Sequence, residues 1–524
     1  MYRILVSDPL QATGLAMLRE AGHEVIEVGP EDKPRLAELL ADADALVVRS
    51  GTKVTAELLA AGTKLKVVGR AGIGVDNVDI PAATERGILV VNAPTANLIS
   101  ATEHTFALLL ALARRVAEAD ASMKASRWDR KAFVGVELQH KVLGVIGFGR
   151  IGQAVAKRAQ AFDMEVLAYD PFLDERAARR AGAEPVTLDD LLSRADVVTL
   201  HTPLTDDTRN LIDAERLAQM KQGALLINCG RGGVVDEAAL LAALESGQIG
   251  GAGLDVFAQE PPTDYDLASH PRVVGTPHLG ASTKEAQLRI STDTARMVVK
   301  ALDGSLAVTA VNQPVRPAGA PSEPDLRHAQ RHGHNACGLL DGAPTAVTVE
   351  QWGLDDALEV PVMIAALKGV LAPHLGEAVN YVNAEKIATE RGLKVQRVRH
   401  SDDADYPELV RVRITSADHA VTLSGTLSLG QDPRIVQVDD YRVEFRPKDI
   451  LLVVRNRDVP GVVGKVGTYL GDAGVNIAEI HLARHPGSHR ALAVVRVDQK
   501  PNDAVLEALR ALEPVEDLRL VVLG

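Results

Sequence analysis

Between Lys141 and Asp170 the chain runs apolar strand, glycine turn, helix, second strand and acid, an order few folds accommodate. Lys141-Val142-Leu143-Gly144-Val145-Ile146 is short, apolar and bounded by turn residues, which reads as a buried strand. It enters Gly147-Phe148-Gly149-Arg150-Ile151-Gly152, and a helical pattern follows from Ile151 to about Ala161. A second strand, Glu165–Tyr169, ends on Asp170. Gly147 permits the tight turn, Gly149 lets backbone approach a pyrophosphate, and Gly152 lets the helix pack on the strand. The unpaired N–H groups at the helix start then face phosphates. Asp170 falls close to the offset of about 20 residues at which a carboxylate accepts hydrogen bonds from an adenosine ribose. A carboxylate there repels a 2′-phosphate, so NAD is expected rather than NADP. A lone G-x-G-x-x-G arises by chance in any glycine-rich turn; here every flanking element falls in order.

At 524 residues the chain has room for three or four domains. Its 46% apolar and 24% charged residues are those of an ordinary globular protein. A net charge of −13 argues against a nucleic-acid binder, which needs a basic face, but leaves room for a local anion pocket. No apolar run approaches the ~20 residues of a membrane helix. Cys229 and Cys337 give no disulfide framework, and the first residues read as a strand rather than a signal peptide, so a cytoplasmic protein is expected.

Before this unit, five apolar runs (Ile4–Val6, Val25–Val28, Ala45–Val48, Lys66–Val68, Ile88–Val91) alternate with helical patterns, which implies a parallel sheet covered on both faces. Arg49-Ser50-Gly51 and Gly69-Arg70-Ala71-Gly72-Ile73-Gly74 follow the third and fourth runs, at the strand ends where open α/β sheets bind ligands. Two arginines so placed can hold a carboxylate or phosphate through paired N–H bonds. Ser100–Ala125 reads as one long helix, apolar on several sides, hence buried in a core or a subunit interface.

After Asp170 three strands end in polar groups. Asp196–Leu200 leads to His201-Thr202; Ala224–Asn228 leads to Cys229-Gly230-Arg231; Ala252–Phe257, with Asp255, leads to Glu260 between Gln259 and two prolines. Pro277-His278-Leu279-Gly280-Ala281 follows. Arg231 can pin a substrate carboxylate in two bonds. A Glu-His pair suits hydride transfer between a 2-hydroxy acid and its keto acid: His278 exchanges the hydroxyl proton while Glu260 fixes its tautomer and stabilises the imidazolium. The helical pattern from Lys284 to Leu302 is expected to return to the first sheet.

Gly69 to Asp79, Gly147 to Gly152, Asn228 to Asp236, Leu254 to Pro262 and Pro277 to Thr283 together resemble the D-2-hydroxyacid dehydrogenases, in the long form with an intervening domain and a C-terminal ACT domain. The resemblance is close over residues 1–312 and looser beyond. It implies two Rossmann-like doubly wound α/β domains, for substrate (1–98 and 285–312) and NAD (99–284), then an α+β intervening domain (313–447) and a ferredoxin-like ACT domain (448–524). It implies NAD-dependent oxidation of D-3-phosphoglycerate to 3-phosphohydroxypyruvate, the first step of L-serine biosynthesis. The rival readings are a glyoxylate or hydroxypyruvate reductase and a non-enzymatic NAD-sensing corepressor. By resemblance Arg231, Glu260 and His278 are catalytic. Cofactor contacts fall to Ile73, Gly147, Gly149, Arg150, Ile151, Gly152, Asp170, Thr202, Cys229, Arg231, Asp255, His278, Leu279, Gly280 and Ala281, and substrate contacts to Arg49, Ser50, Arg70, Asn97 and Arg130, the last reaching a neighbouring subunit. A homo-oligomer, dimer or tetramer, is implied, with the Ser100–Ala125 helix as its main contact.

The tail changes character at Pro314. Arg327 to Cys337 holds three histidines and a cysteine, but Gly333 is expected to break any helix there and no second cluster completes a metal site, so a solvated linker without metal is the reading. Helix 360–375 and strand 420–427 restore an α+β pattern. From Asp449 the order is β-α-β-β-α-β, the ferredoxin-like arrangement. By resemblance to ACT domains, Asn456, Asp458 and Asn476 would hold an amino-acid effector, L-serine.

Overall fold

The computed structural model describes residues 1–303, 309–313, 323–402, 404–428 and 432–522. The first sheet is all parallel, with β1 (Arg3–Val6), β2 (Glu24–Glu27), β3 (Ala45–Val48), β4 (Val67–Arg70) and β5 (Leu89–Asn92) in the order β2-β1-β3-β4-β5. Strands covered on both faces lose alternation and read as continuous apolar runs, and Ala45 to Val48 are buried without exception. The Lys284–Leu302 helix packs on the Ala12–Glu20 helix and on β4 and β5, burying Ala295, Val298 and Leu302 beside Ile4, Val67 and Val91.

The second sheet has β6 (Val142–Ile146), β7 (Glu165–Tyr169), β8 (Glu184–Pro185), β9 (Val197–Leu200), β10 (Ala224–Asn228), β11 (Ile249–Leu254) and β12 (Val273–Gly275), in the order β12-β11-β10-β9-β6-β7-β8. Strand order reverses between β6 and β9, the crevice where such sheets take ligands. The expected single helix over Ser100–Ala125 is two, Leu98–Ala113 and Val116–Lys124. Val136 N–H takes the Ala113 carbonyl that would continue the first, and Arg115 turns left-handed at φ 51°.

The third sheet is β13 (Ala346–Trp352), β14 (Lys394–His400), β15 (Leu409–Thr415), β16 (Ala420–Ser428), β17 (Asp432–Val438) and β18 (Tyr441–Phe445), antiparallel except for β13 with β14. Paired helices Glu323–Leu339 and Glu359–Leu375 cover it. The fourth sheet is antiparallel, with β19 (Ile450–Arg457), β20 (Ile477–Arg484), β21 (Arg490–Val497) and β22 (Val515–Val522) in the order β20-β21-β19-β22. Helices Val462–Asp472 and Asp503–Arg510 cover one face. The other face buries Leu451, Val453, Leu492 and Val494 in the core that holds the Glu323–Leu339 helix. The α/β class and the ferredoxin-like order are as the sequence implied.

The solvated linker is not observed over 323–339; residues 314–322 lie outside the described residues. The helix runs unbroken through Gly333 with His328 and His332 buried. The glycine serves a close helix crossing: a Cβ there would sit 2.0 Å from the Ala366 carbonyl oxygen. Helix propensity alone makes Gly333→Ala stabilising by about 1 kcal/mol. Overpacking against backbone costs about 1–3 kcal/mol and wins. Thermal unfolding of Gly333→Ala should therefore shift down by a few degrees; an upward shift would show that the crossing is loose.

Candidate active site

The nucleotide turn follows β6. Gly147 has φ 87°, and a Cβ on Gly152 would sit 2.2 Å from the Gly147 carbonyl oxygen. Gly149 has nothing within 4 Å of its missing Cβ, so backbone there is open to a ligand. No side chain caps the Arg150–Gln160 helix, leaving its first N–H groups for an anion. Asp170 braces the turn: Phe148 N–H donates to one oxygen at 3.0 Å and Phe172 N–H to the other at 2.9 Å. Each oxygen keeps a lone pair for a ribose hydroxyl. Thr202 follows β9, and its Oγ1 is buried without a partner. Cys229 follows β10, and burial pushes its thiol up to about 12, so it is a neutral wall and not a nucleophile. Ile73 faces from the first sheet's side, its carbonyl held by Asn92 Nδ2 at 2.6 Å. Uncapped helix, open glycine and orphaned hydroxyl together fit a dinucleotide.

Glu260 follows β11 and His278 follows β12; His278 Nδ1 lies 2.6 Å from Glu260 Oε2, and Glu260 Oε1 accepts Phe257 N–H at 3.1 Å. That pairing leaves Nε2 for a substrate. The Glu260 hydrogen bond holds the His278 pKa above its ordinary value, outweighing partial burial. Burial pushes Glu260 up, but the His278 bond and charge outweigh it and hold the carboxyl below its usual range. His278 itself is left-handed, at φ 56°.

Asp255 fixes that conformation, which the sequence did not reveal. Its buried carboxylate accepts Leu279 N–H at 2.7 Å, Gly280 N–H at 2.8 Å and Thr276 Oγ1–H at 2.6 Å, and His104 Nε2 lies 3.1 Å away. Expected as a cofactor contact, Asp255 also turns its carboxylate into the 276–280 loop, where that loop's N–H groups converge on it. His104, a lone polar ring on the apolar Leu98–Ala113 helix, and Thr276 complete this support; the lone histidine was the only signal.

Arg231 reaches from β10 to the first sheet. Its Nε donates to Asp76 Oδ2 at 3.0 Å, and its Nη1 to the Gly230 carbonyl at 2.8 Å. Gly74 and Gly72 leave the space that the Arg231 and Arg70 guanidiniums occupy, since a Cβ on either would strike them. Arg70 Nε donates to Asn77 Oδ1 at 3.3 Å. Burial, then the charge of Arg231, lowers its pKa to about 10, so it stays cationic near neutrality. Arg49 follows β3, its N–H donating to Asp8 Oδ2 at 2.7 Å and its carbonyl accepting Asn77 Nδ2 at 2.6 Å. Asn97 stands at the start of the Leu98–Ala113 helix without capping it, its Oδ1 buried and unpartnered, and Ser50 is exposed beside Arg49. Arg130 lies on an exposed turn after the Val116–Lys124 helix. The structure thus brings Arg49, Arg70, Arg231, Glu260 and His278 to facing sheet ends.

Residues 106–280 match the D-isomer specific 2-hydroxyacid dehydrogenase NAD binding domain, 326–439 the D-3-phosphoglycerate dehydrogenase intervening domain, and 450–514 the ACT domain. The chain is 42% identical to a D-3-phosphoglycerate dehydrogenase of Methanocaldococcus jannaschii, covering 99% of this chain and 100% of that one. It is 44% identical to one of Mycobacterium tuberculosis over 99% of each. The chain belongs to the D-3-phosphoglycerate dehydrogenase family. Among solved structures, a D-lactate dehydrogenase of Aquifex aeolicus complexed with NAD and lactic acid is 31% identical with TM-score 0.54, covering 60% of this chain and 99% of that one. A Thermus thermophilus protein is 38% identical with TM-score 0.54, covering 59% and 99%. This family member carries an NAD-binding domain of the 2-hydroxyacid dehydrogenase kind, and no helix among its described residues is long and apolar enough to cross a membrane.

The effector residues do not converge within one chain. Asn456 pairs with Ala491, which pairs with Arg484, whereas Ile477, next to Asn476, pairs with Val497 at the Ile450 end. Asn456 and Asn476 are therefore at opposite ends of the sheet, about 20 Å apart along the strands. Asp458 holds Arg484 at 3.0 Å, and Asn456 Nδ2 donates to the Arg457 carbonyl at 2.6 Å.

Proposed function

We propose that this chain oxidises D-3-phosphoglycerate with NAD, and that the His278–Glu260 pair beside Arg231 is its catalytic centre. The observation that carries this is the 2.6 Å contact of Nδ1 with Glu260, which leaves Nε2 for one small acid. Arg231 exchanges Asp76 for the substrate carboxylate. Arg49 and Arg70, with Ser50 and Asn97, hold the phosphate at the opposite sheet end. Neutral His278 accepts the C2 hydroxyl proton at Nε2, and Glu260 stabilises the imidazolium through Nδ1. In the reverse direction the same Nε2–H returns the proton to the carbonyl oxygen. Bound NAD supplies the acceptor for the hydrogen and electron pair that leave C2. Gly147 to Gly152 hold its pyrophosphate, Asp170 its ribose, and Ile73, Thr202, Cys229 and Leu279 to Ala281 line the remainder.

We further propose L-serine as effector and a homo-oligomer, a dimer or tetramer, in the cytoplasm. β20 is an edge strand with Ile480 and Leu482 exposed. Antiparallel pairing of two copies along β20 carries Asn476 of one towards Asn456 and Asp458 of the other, which resolves their separation within a chain. Ile99, Leu110, Val116 and Met123 form a second exposed apolar face for the main dimer contact.

The test is NADH oxidation with 3-phosphohydroxypyruvate, against unphosphorylated hydroxypyruvate, with and without L-serine. Preference for the phosphorylated acid and a fall with serine are expected. Equal turnover of the two acids would favour a hydroxypyruvate reductase, and indifference to serine would remove the effector.

A further inference from the structure

The first sheet has a second ligand-sized concavity, at the end opposite its catalytic one. A cleft of about 1,120 Å³ lies where the strand starts (Tyr2, Asp44, Lys66, Leu89) meet the Glu323–Leu339 and Glu359–Leu375 helices. Arg49 and Arg70 stand at the far ends of these strands, about 13 Å away along four-residue strands, so the cleft is separate from the site above. The joint around it is built: Asn380 Nδ2 donates to the Gly87 carbonyl at 2.7 Å and Lys386 Nζ to the Glu85 carbonyl at 3.0 Å.

Its charge runs against that of the whole chain. In a protein of net charge −13, the cleft gathers Lys64, Lys66, Arg86, Arg327, Arg331 and Lys368, against Asp44 and Asp303. Lys64 is paired with Asp42 at 2.9 Å, and Lys66 lies over the Tyr2 ring. Lys368 and Arg331 are different: among the described residues neither makes an ion pair. The Lys368 ammonium sits 4.2 Å over the Tyr381 ring, whose hydroxyl donates to Gln330 Oε1 at 2.8 Å. Burial holds its pKa below the ordinary lysine value, and burial followed by the charge of Arg327 does the same to Arg331. Asp449 opposes this shift at Arg331 without forming an ion pair with it. Partly buried cations without an ion-pair partner carry a desolvation cost that a counter-anion offsets.

We propose that this cleft is a binding site for a small phosphate-bearing polyanion, held by the Arg331 fork and the Lys368 ammonium. Arg331 supplies planar paired donors and Lys368 a point charge, the two usual ways of holding a phosphate. The cleft is more than large enough for a small metabolite. Because one wall belongs to the first sheet and the other to the helices of the third, an occupant bridges the catalytic and C-terminal halves of the chain.

Inorganic pyrophosphate is the probe, titrated calorimetrically into the full chain. To remove the substrate-phosphate arginines the starting protein carries Arg49→Gln and Arg70→Gln, and saturating NADH covers the nucleotide turn. This protein should still bind pyrophosphate, and adding Lys368→Met with Arg331→Gln should weaken binding at least tenfold. Lys368→Arg with Arg331→Lys keeps the charges and should retain binding. Pyrophosphate should also raise the melting temperature of the starting protein and of the charge-keeping variant, and not that of the neutral one. Arg331→Gln alone, at a less buried position, tests the same point if the double variant does not fold. An affinity unaltered by the cleft substitutions, or no binding once Arg49 and Arg70 are replaced, would overturn the proposal. Neither result bears on turnover of phosphoglycerate by the unaltered protein.

Discussion

His278→Gln is expected to lower kcat by about 10²- to 10⁴-fold in both directions, the range attributed to a positioned general acid-base. Glutamine fills similar space and can hydrogen-bond a hydroxyl, but it cannot take up the proton released as C2 is oxidised. The cofactor should be untouched, since the nucleotide turn is held by Asp170 and the Gly147–Gly152 backbone, and the His278 backbone by Asp255. NADH affinity, read by fluorescence, is therefore expected within a factor of about two of the parent's. The pairing of lost turnover with retained NADH binding separates proton transfer from assembly of the site. A kcat within tenfold of the parent's would remove His278 from the chemistry, and the whole assignment of the Glu260 pair with it.

How much of this was legible in the sequence depended on whether a signal was local. The nucleotide turn was legible because strand, glycines, helix and acid fall within one βαβ unit, where each residue's role is set by its immediate backbone. Arg231, Glu260 and His278 were legible because strand ends in a parallel sheet point to one crevice. The role of Asp255 was not, because three donors that turn its carboxylate inwards come from residues 276–280 and a further partner, His104, from a distant helix. The helix over 323–339 was misread for a related reason. Glycine and histidine weigh towards a broken, solvated segment, and only the crossing at Ala366 shows why a small residue stands at 333. The break at Arg114–Arg115 was equally hidden, since it comes from a carbonyl captured by Val136. For Asn456, Asp458 and Asn476, matching positions along one chain said nothing of the sheet that separates them.

Glu260→Gln should reshape the pH dependence of the reaction as well as its rate. Glu260 holds the His278 pKa up through a hydrogen bond and opposite charge, and partial burial alone would hold it down. Removing the charge therefore lowers the pKa. Oxidation needs neutral imidazole, so its rate rises as pH climbs through that pKa, and in the variant the rising limb should move to lower pH. Reduction needs the imidazolium, so its falling limb should move to lower pH too, and activity near neutrality should drop more in reduction than in oxidation. The plateau of oxidation should also fall, by about 10- to 100-fold, because a glutamine amide fixes the Nδ1 tautomer poorly and leaves the developing imidazolium without its counter-charge. Glu260→Asp keeps the charge at a shorter reach and should return the limb towards the parent's position while restoring only part of the rate. A purely structural role for Glu260 predicts lower rates with both limbs unmoved, so the direction of the shift, compared between oxidation and reduction, decides whether this carboxylate acts on the histidine's proton.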